Sequence, residues 1–143
     1  AHIIDFQFSS KGVKYPTEVI TGDRVNFSFK VHFNKSFNNI VPGLLIKTVE
    51  GIFLYGTNSM DRTKNITSLS VKKDTSHVYS FCLPMNLNSG DYLISFGISS
   101  GDIDAALVPL DRRYDSLILK VNNYKAPFSG LLQLEANFSY DIA

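Results

Sequence analysis

The stretch from residue 24 to residue 34 alternates polar and apolar side chains without exception. Its apolar members are Val25, Phe27, Phe29, Val31 and Phe33. Because successive side chains of a strand point to opposite faces, this spacing places all five on one face. A helix would scatter them around its circumference. The pattern therefore predicts a strand with one face on a core and the other in water, which is typical of antiparallel sheets.

Similar segments recur along the whole chain. The predicted strands cover residues 2–8, 24–34, 41–49, 52–55, 66–71, 77–83, 92–98, 117–121 and 132–138. Turn residues separate them, and Glu50-Gly51 between two apolar runs indicates a tight hairpin. No segment has a sustained 3.6-residue period. Short strands with frequent turns predict an all-β sandwich or barrel.

One short motif favours an immunoglobulin-like antiparallel sandwich. Gly90-Asp91-Tyr92 opens an apolar run late in the chain. In such sandwiches a tyrosine near the start of a late strand often donates its hydroxyl hydrogen bond back to nearby backbone. The alternative is a tyrosine that only packs at the beginning of a strand.

The composition limits the classes of protein to consider. The length of 143 residues fits one domain, predicted to span 1–143. The net charge is +1 and no run of Lys and Arg occurs, which argues against nucleic acid as a partner. No stretch approaches the ~18 apolar residues of a membrane span, so direct membrane insertion is not expected. Cys82 lies in an apolar run and is predicted to be a buried, inert thiol.

The motifs of common catalytic sites do not occur. The chain contains no GxxxxGK[ST], no GxGxxG and no GxSxG, and its three histidines share no metal-ligand spacing. We therefore predict no enzyme activity, no metal and no cofactor. A glycoside hydrolase would need two converging carboxylates, for which Asp61 with Asp91 or Asp102 with Asp111 are the candidates.

Residues 43–59, GLLIKTVEGIFLYGTNS, resemble the signature of the Wzt C-terminal domain family. The segments VNFSFKVHFNKSFNNIVPG before it, and SGDYLISFGISSGD, YDSLILKV and FSGLLQLEANFS after it, are similar to further parts of that family. The resemblance runs from about Phe6 to Ser139, and its most specific part is Gly56-Thr57-Asn58-Ser59.

The resemblance implies an immunoglobulin-like β-sandwich that binds carbohydrate and catalyses nothing. It implies recognition of finished O-antigen polysaccharide, often through a modified non-reducing end, which couples chain completion to export by an ABC transporter. It further implies a cytoplasmic location at the inner face of the inner membrane, with an ATPase domain and a membrane subunit as partners. A homodimer that exchanges the terminal strand, within residues 130–143, is also implied. The alternative function is an immunoglobulin-like structural or adhesive module that binds protein.

Six residues are the candidates for contact with sugar: Lys30, His32, Tyr55, Asn58, Arg112 and Tyr114. Tyr55 offers an aromatic face, and Asn58 either contacts the ligand or bonds to backbone in its own turn. Arg112 and Tyr114 are predicted at the end of a long loop after Ile98, where function is common. Arg112, Arg113, Lys30 and His32 would also suit an anionic polysaccharide end. The alternatives are a solubilising loop pair for Arg112-Arg113 and a plain solvated sheet face for Lys30 and His32.

Overall fold

A computed structural model of the chain describes residues 1–60, 69–101, 106–124 and 127–142. Nine strands occur in this part of the chain: β1 (His2–Ser10), β2 (Val13–Lys14), β3 (Val19–Ile20), β4 (Arg24–Phe33), β5 (Ile40–Thr48), β6 (Phe53–Asn58), β7 (Thr75–Pro84), β8 (Gly90–Ser100) and β9 (Val108–Asn122). The described residues contain no helix with the length and apolar character needed to cross a bilayer.

The strands form two sheets. One has the order β2-β1-β4-β7 and the other the order β3-β9-β8-β5-β6. The predicted all-β sandwich is confirmed, with one departure from a purely antiparallel arrangement. The short β3 pairs in parallel with β9, Val19 opposite Val121, so the N-terminal part of the chain contributes strands to both sheets.

The core lies between the apolar faces of these two sheets. The five apolar residues of the alternating segment are at most 1% exposed, as their spacing predicted. Phe29 of β4 packs on Phe96 of β8 with ring centroids 5.0 Å apart. Burying a side chain of this size contributes about 1.5–3 kcal/mol to stability, so this central strand anchors the packing of the sandwich.

Tyr92 forms the predicted tyrosine corner. Its ring is 1% exposed, and its hydroxyl donates a hydrogen bond of 2.7 Å to the carbonyl oxygen of Asn88. Burial and, to a lesser extent, the negative charge of Glu50 raise the pKa of Tyr92, so the hydroxyl keeps the proton that it donates. The bond ties the beginning of β8 to the turn that precedes it.

Cys82 is exposed, contrary to the prediction of a buried thiol. The prediction was wrong because β7 alternates its two faces within the apolar run. Phe81 and Leu83 face the core, and Cys82 between them faces water. Half of the predicted strand 66–71, residues 66–68, lies outside the described residues. Its last residue, Val71, forms an isolated bridge with Phe37.

The terminal run 132–138 does not form a strand on its own chain. Leu132 makes an isolated bridge with Leu87, and the Gln133 N–H donates to the Asn86 carbonyl oxygen at 2.8 Å. Beyond Gln133, the described residues belong to no ladder, and Leu134 and Phe138 are 83% and 87% exposed. A strand needs a neighbouring backbone to pair with, and the tail leaves the sandwich after that contact.

We expect Tyr92→Phe to lower the free energy of unfolding by about 1–3 kcal/mol, because the carbonyl of Asn88 loses its partner in a closely packed site. Urea denaturation followed by circular dichroism measures the change. Tyr55→Phe is the matched control, since it removes the same hydroxyl from a ring that is 45% exposed. Equal effects of the two substitutions would contradict a stabilising role of the corner.

Candidate functional site

A row of four residues crosses the outer face of the five-stranded sheet. Asn58 of β6 stands opposite Gly43 of β5, Gly43 opposite Gly97 of β8, and Gly97 opposite Arg112 of β9. Directly paired residues point to the same side of a sheet. The two central members have no side chain, so the row is a stretch of bare backbone between an amide and a guanidinium.

This row is the floor of a groove of about 340 Å³, which Leu107, Thr57 and Tyr114 help to line. Neither Gly43 nor Gly97 has a positive φ, so the backbone there does not demand glycine. A Cβ on Gly97 would lie 3.8 Å from Cγ of Arg112, which is an ordinary contact. What the two glycines provide is open space, because any larger side chain would occupy the groove.

Arg112 and Tyr114 lie within β9 and not at the end of a loop as predicted. β9 begins at Val108, which pairs with Ser100, so most of the expected loop is strand. Two residues apart, Arg112 and Tyr114 share the outer face, and Nη1 of Arg112 donates to the Tyr114 hydroxyl at 3.2 Å. The Tyr114 side chain is 64% exposed, so one face of its ring is available beside the groove.

Asn58 bonds to backbone in its own turn, which was one of the two roles considered for it. Its Oδ1 accepts a hydrogen bond of 2.8 Å from the N–H of Met60, which fixes the turn that follows β6. Asn58 also lines the groove. A ligand contact by this residue stays a prediction.

Arg113 belongs to the structure of the sandwich and points away from the groove. Its Nε lies 3.7 Å from Oδ2 of Asp111, and its Nη2 donates to the carbonyl oxygen of Ile3 at 3.4 Å. The same carboxylate oxygen of Asp111 accepts the N–H of Ile3 at 2.8 Å. These contacts join β9 of one sheet to β1 of the other, which leaves the neighbouring Arg112 as the arginine of the groove.

Tyr55 lies on the other side of its sheet. It stands opposite the buried Ile46, which is an inward position, and it lines a cleft of about 330 Å³ together with Phe81 and Leu83 of β7. This cleft separates β6 and β7, the edge strands of the two sheets. Thr57 lines both the cleft and the groove, so the two openings meet at β6, although Tyr55 itself does not line the groove.

Lys30 and His32 lie on the outer face of the four-stranded sheet. Lys30 is exposed beside Asp5 of β1, and Nδ1 of His32 is 3.0 Å from the hydroxyl of Ser76. The outer faces of a sandwich point in opposite directions, so these two residues and the groove are on opposite sides of the molecule. The structure brings together three of the six predicted residues, Asn58, Arg112 and Tyr114.

The structure offers little for a metal or a pair of catalytic carboxylates. Within the described part of the chain, no group of three His, Cys, Asp or Glu side chains is arranged to hold a metal ion. Two of the candidate acids, Asp61 and Asp102, lie outside the described residues. Of the described residues that line the groove, Arg112 carries a charge and none is acidic.

Sequence reasoning missed the two glycines of the floor. Gly43 and Gly97 occupy the interiors of strands, where glycine weakens the ladder and often marks a place that another group approaches closely. That signal was available in the sequence. The pairing that sets Gly43 beside Gly97 was not, because it depends on the register of β5 on β8.

We expect Gly97→Ala to raise the free energy of unfolding by about 0.5–1 kcal/mol, because glycine inside a strand costs conformational entropy. Thermal or urea denaturation measures the gain. Gly43→Ala should gain less or lose stability, since its Cβ would lie 3.3 Å from the backbone oxygen of Thr57. A clear loss with Gly97→Ala would show that the strand itself requires this glycine.

Comparison with known proteins agrees with this architecture. The family model described as "Wzt C-terminal domain" matches residues 1–134. A solved structure described as "Crystal structure of the C-terminal domain of wzt" is 44% identical with a TM-score of 0.90, covering 98% of this chain and 83% of that one. A second solved structure, that of structural genomics target SoR45, is 12% identical with a TM-score of 0.38, covering 98% of this chain and 91% of that one. A similarity this low supports no conclusion about this chain. Among curated proteins, none matches. With a family match over residues 1–134 and the 44% identity, the chain belongs to the Wzt C-terminal domain family.

Proposed function

We propose that this chain binds O-antigen polysaccharide, without altering it, in the groove above Gly43 and Gly97. Membership of the family supports a role in an O-antigen ABC transporter and is consistent with a non-enzymatic domain. The observation that carries the location is the four-residue row from Asn58 to Arg112, in which two adjacent glycines leave backbone uncovered. Backbone without side chains lets a flat ring approach closely.

The residues around the floor suit the two kinds of surface that a sugar presents. The negative face of the Tyr114 ring attracts the positively polarised C–H groups on the flat side of a pyranose. Arg112 carries five N–H donors in a plane, and one of them already bonds to Tyr114. The other N–H donors of Arg112 suit hydroxyl oxygens, or an anionic substituent, at the edge of the sugar ring.

The groove favours the end of the polymer as the ligand. Its volume of about 340 Å³ is at the lower end of the roughly 300–1,000 Å³ of small-molecule sites, which suits a short terminal segment better than a long stretch of chain. Binding of a modified non-reducing end would report that the polysaccharide is complete. In this proposal the domain works in the cytoplasm at the inner face of the inner membrane, beside an ATPase domain and a membrane subunit.

We expect Arg112→Ala to weaken binding of the cognate O-antigen roughly 10- to 100-fold. Hydrogen bonds to charged groups contribute about 1.5–3 kcal/mol, and 1.4 kcal/mol corresponds to tenfold. Tyr114→Ala should weaken binding more than Tyr114→Phe, which keeps the ring. Gly97→Leu should abolish binding by filling the groove. Isothermal titration with polysaccharide purified from the organism that supplies the chain measures each affinity.

Lys30→Ala is the matched control for Arg112→Ala, because it removes one positive charge from the opposite sheet. Its affinity should equal that of the wild type. Stronger weakening by Lys30→Ala than by Arg112→Ala would move the site to the four-stranded sheet. If the folded wild-type chain binds neither intact nor end-modified O-antigen, the proposal is wrong.

We also propose that the chain forms a homodimer through its terminal segment. Beyond Gln133, four large apolar side chains are 78–95% exposed, namely Leu134, Phe138, Tyr140 and Ile142. So many exposed apolar groups in one short segment call for a partner surface. An apolar pocket of about 300 Å³ between β6 and the end of β7 is already lined by Leu132 at the beginning of this segment. Exchange of a terminal element is a low-cost route to a dimer.

We expect the double substitution Leu134→Ser with Phe138→Ser to shift the chain from dimer to monomer, because it removes apolar surface that the partner would bury. Light scattering coupled to size-exclusion chromatography gives the mass. The control pair is Val78→Ser with Ile118→Ser, which removes side chains that are 62% and 65% exposed on the two sheets. A wild-type chain that stays monomeric at high concentration would contradict the dimer.

A further inference from the structure

β9 contains an irregularity directly beside the groove. Ile94 of β8 stands opposite Leu117, and Phe96 stands opposite Arg113. The single residue Ser95 on β8 therefore faces three residues of β9, Tyr114–Ser116. Bulges of this kind bend a strand, re-aim its side chains and are over-represented next to active sites.

The middle residue of this bulge has an unusual backbone conformation. Asp115 has a φ of 53°, in the left-handed region that is uncommon for residues other than glycine, although Asp enters it more readily than most. Such residues persist only where the surroundings hold them, and they concentrate at functional sites. Asp115 directly follows Tyr114, so its φ sets how the backbone at Tyr114 continues into the rest of the bulge.

Side chains from the two neighbouring strands β8 and β5 hold Asp115 in place. Its N–H donates a hydrogen bond of 2.8 Å to Oγ of Ser95 on β8, and its Oδ1 lies 3.0 Å from Nζ of Lys47 on β5. The hydroxyl of Ser116 donates to the carbonyl oxygen of Arg113 at 2.9 Å and closes the bulge. We call Lys47, Ser95 and Asp115 the bulge cluster.

One member of the bulge cluster, Ser95, lines the groove directly. Ser95 is 4% exposed and belongs to the groove lining, as do Arg112 and Tyr114 on the neighbouring strand. Lys47 reaches across β8 to Asp115, so the ion pair spans the sheet beside the floor.

The ion pair itself contributes little to global stability. The Lys47 and Asp115 side chains are 26% and 42% exposed, and ion pairs so accessible to water contribute weakly to folding. A role in positioning therefore explains the arrangement better than a role in stability. Loss of the pair would lower the free energy of unfolding if its role were stability, and would alter the groove wall if its role is positioning.

We propose that Lys47 and Asp115 are positioning residues that set the Tyr114 and Arg112 wall of the groove for its ligand. The ligand part of this inference rests on the proposed binding of polysaccharide. The geometric part concerns the unliganded chain and is independent of it.

The test combines nuclear magnetic resonance of the unliganded chain with titration of O-antigen polysaccharide. In Lys47→Met and in Asp115→Asn, we expect the Arg112 Nε–H and Tyr114 amide signals to shift or broaden, with the amide of Phe27 in the other sheet unchanged. Both variants should bind the polysaccharide about tenfold more weakly while their urea midpoints stay near that of the wild type. The double variant should be no weaker than either single one, and Lys47→Arg should restore both signals and affinity.

Lys11→Met is the control for charge, because it makes the same substitution in another Lys–Asp ion pair, Lys11 with Asp23 at 3.3 Å, in the turn after β1. Unchanged signals and unchanged affinity in Lys47→Met would overturn the proposal. Equal effects of Lys11→Met would overturn it too, since they would show a general effect of charge. If the wild type binds no polysaccharide, the proposed function fails, and the spectra of the unliganded variants still decide the positioning role.

Discussion

The contact between the apolar faces of β4 and β8 is the interaction on which the other features of this molecule depend. Phe29 and Phe96 meet at 5.0 Å between ring centroids, and the neighbouring inward residues of both strands are almost wholly buried. A shift of either strand by one residue would turn its apolar side chains into water and its polar ones into the core. The core therefore fixes the register, and the register fixes which side chains appear on the outside.

The groove is a consequence of that same constraint. Once Phe96 and Ile98 face inward, Gly97 between them must face outward, and the pairing of β8 with β5 sets Gly43 beside it. The core can tolerate two glycines there because their side chains would have faced outward in any case. The two glycines lose more conformational entropy on folding than other residues would. In return, the rigid sheet carries open space on its outer face.

The other groove residues depend on deviations from regular structure. Arg112 follows the regular pairing of β9 with β8, whereas Tyr114 belongs to a bulge in which three residues oppose one. A regular strand would have continued the alternation through residues 114–116. The left-handed Asp115 and its contacts with Ser95 and Lys47 belong to the same deviation, so the wall of the groove is set by local irregularity on a regular frame.

Much of the frame could be predicted from the sequence, and parts of the site could not. Alternation alone located β4 and the apolar face of β8, and the short Gly-Asp-Tyr motif indicated the corner that Tyr92 forms. Arg112 and Tyr114 were assigned to a loop, because the apolar period is interrupted there by charged residues. Lys30 and His32 looked equivalent to them by residue type, since a sequence does not tell which outer face a strand will present.

By itself the sequence determined the two-layer architecture, because each strand carries its own inward and outward sides in a period of two. It also determined the membership of the family, through segments that run over most of the chain. Only the tertiary structure decided that Asn58, Gly43, Gly97 and Arg112 form one row, that Tyr55 faces the opposite side, and that Lys47 reaches Asp115. These relations join residues on different strands, and their physical cause is the pairing register, which arises only when the two faces pack together.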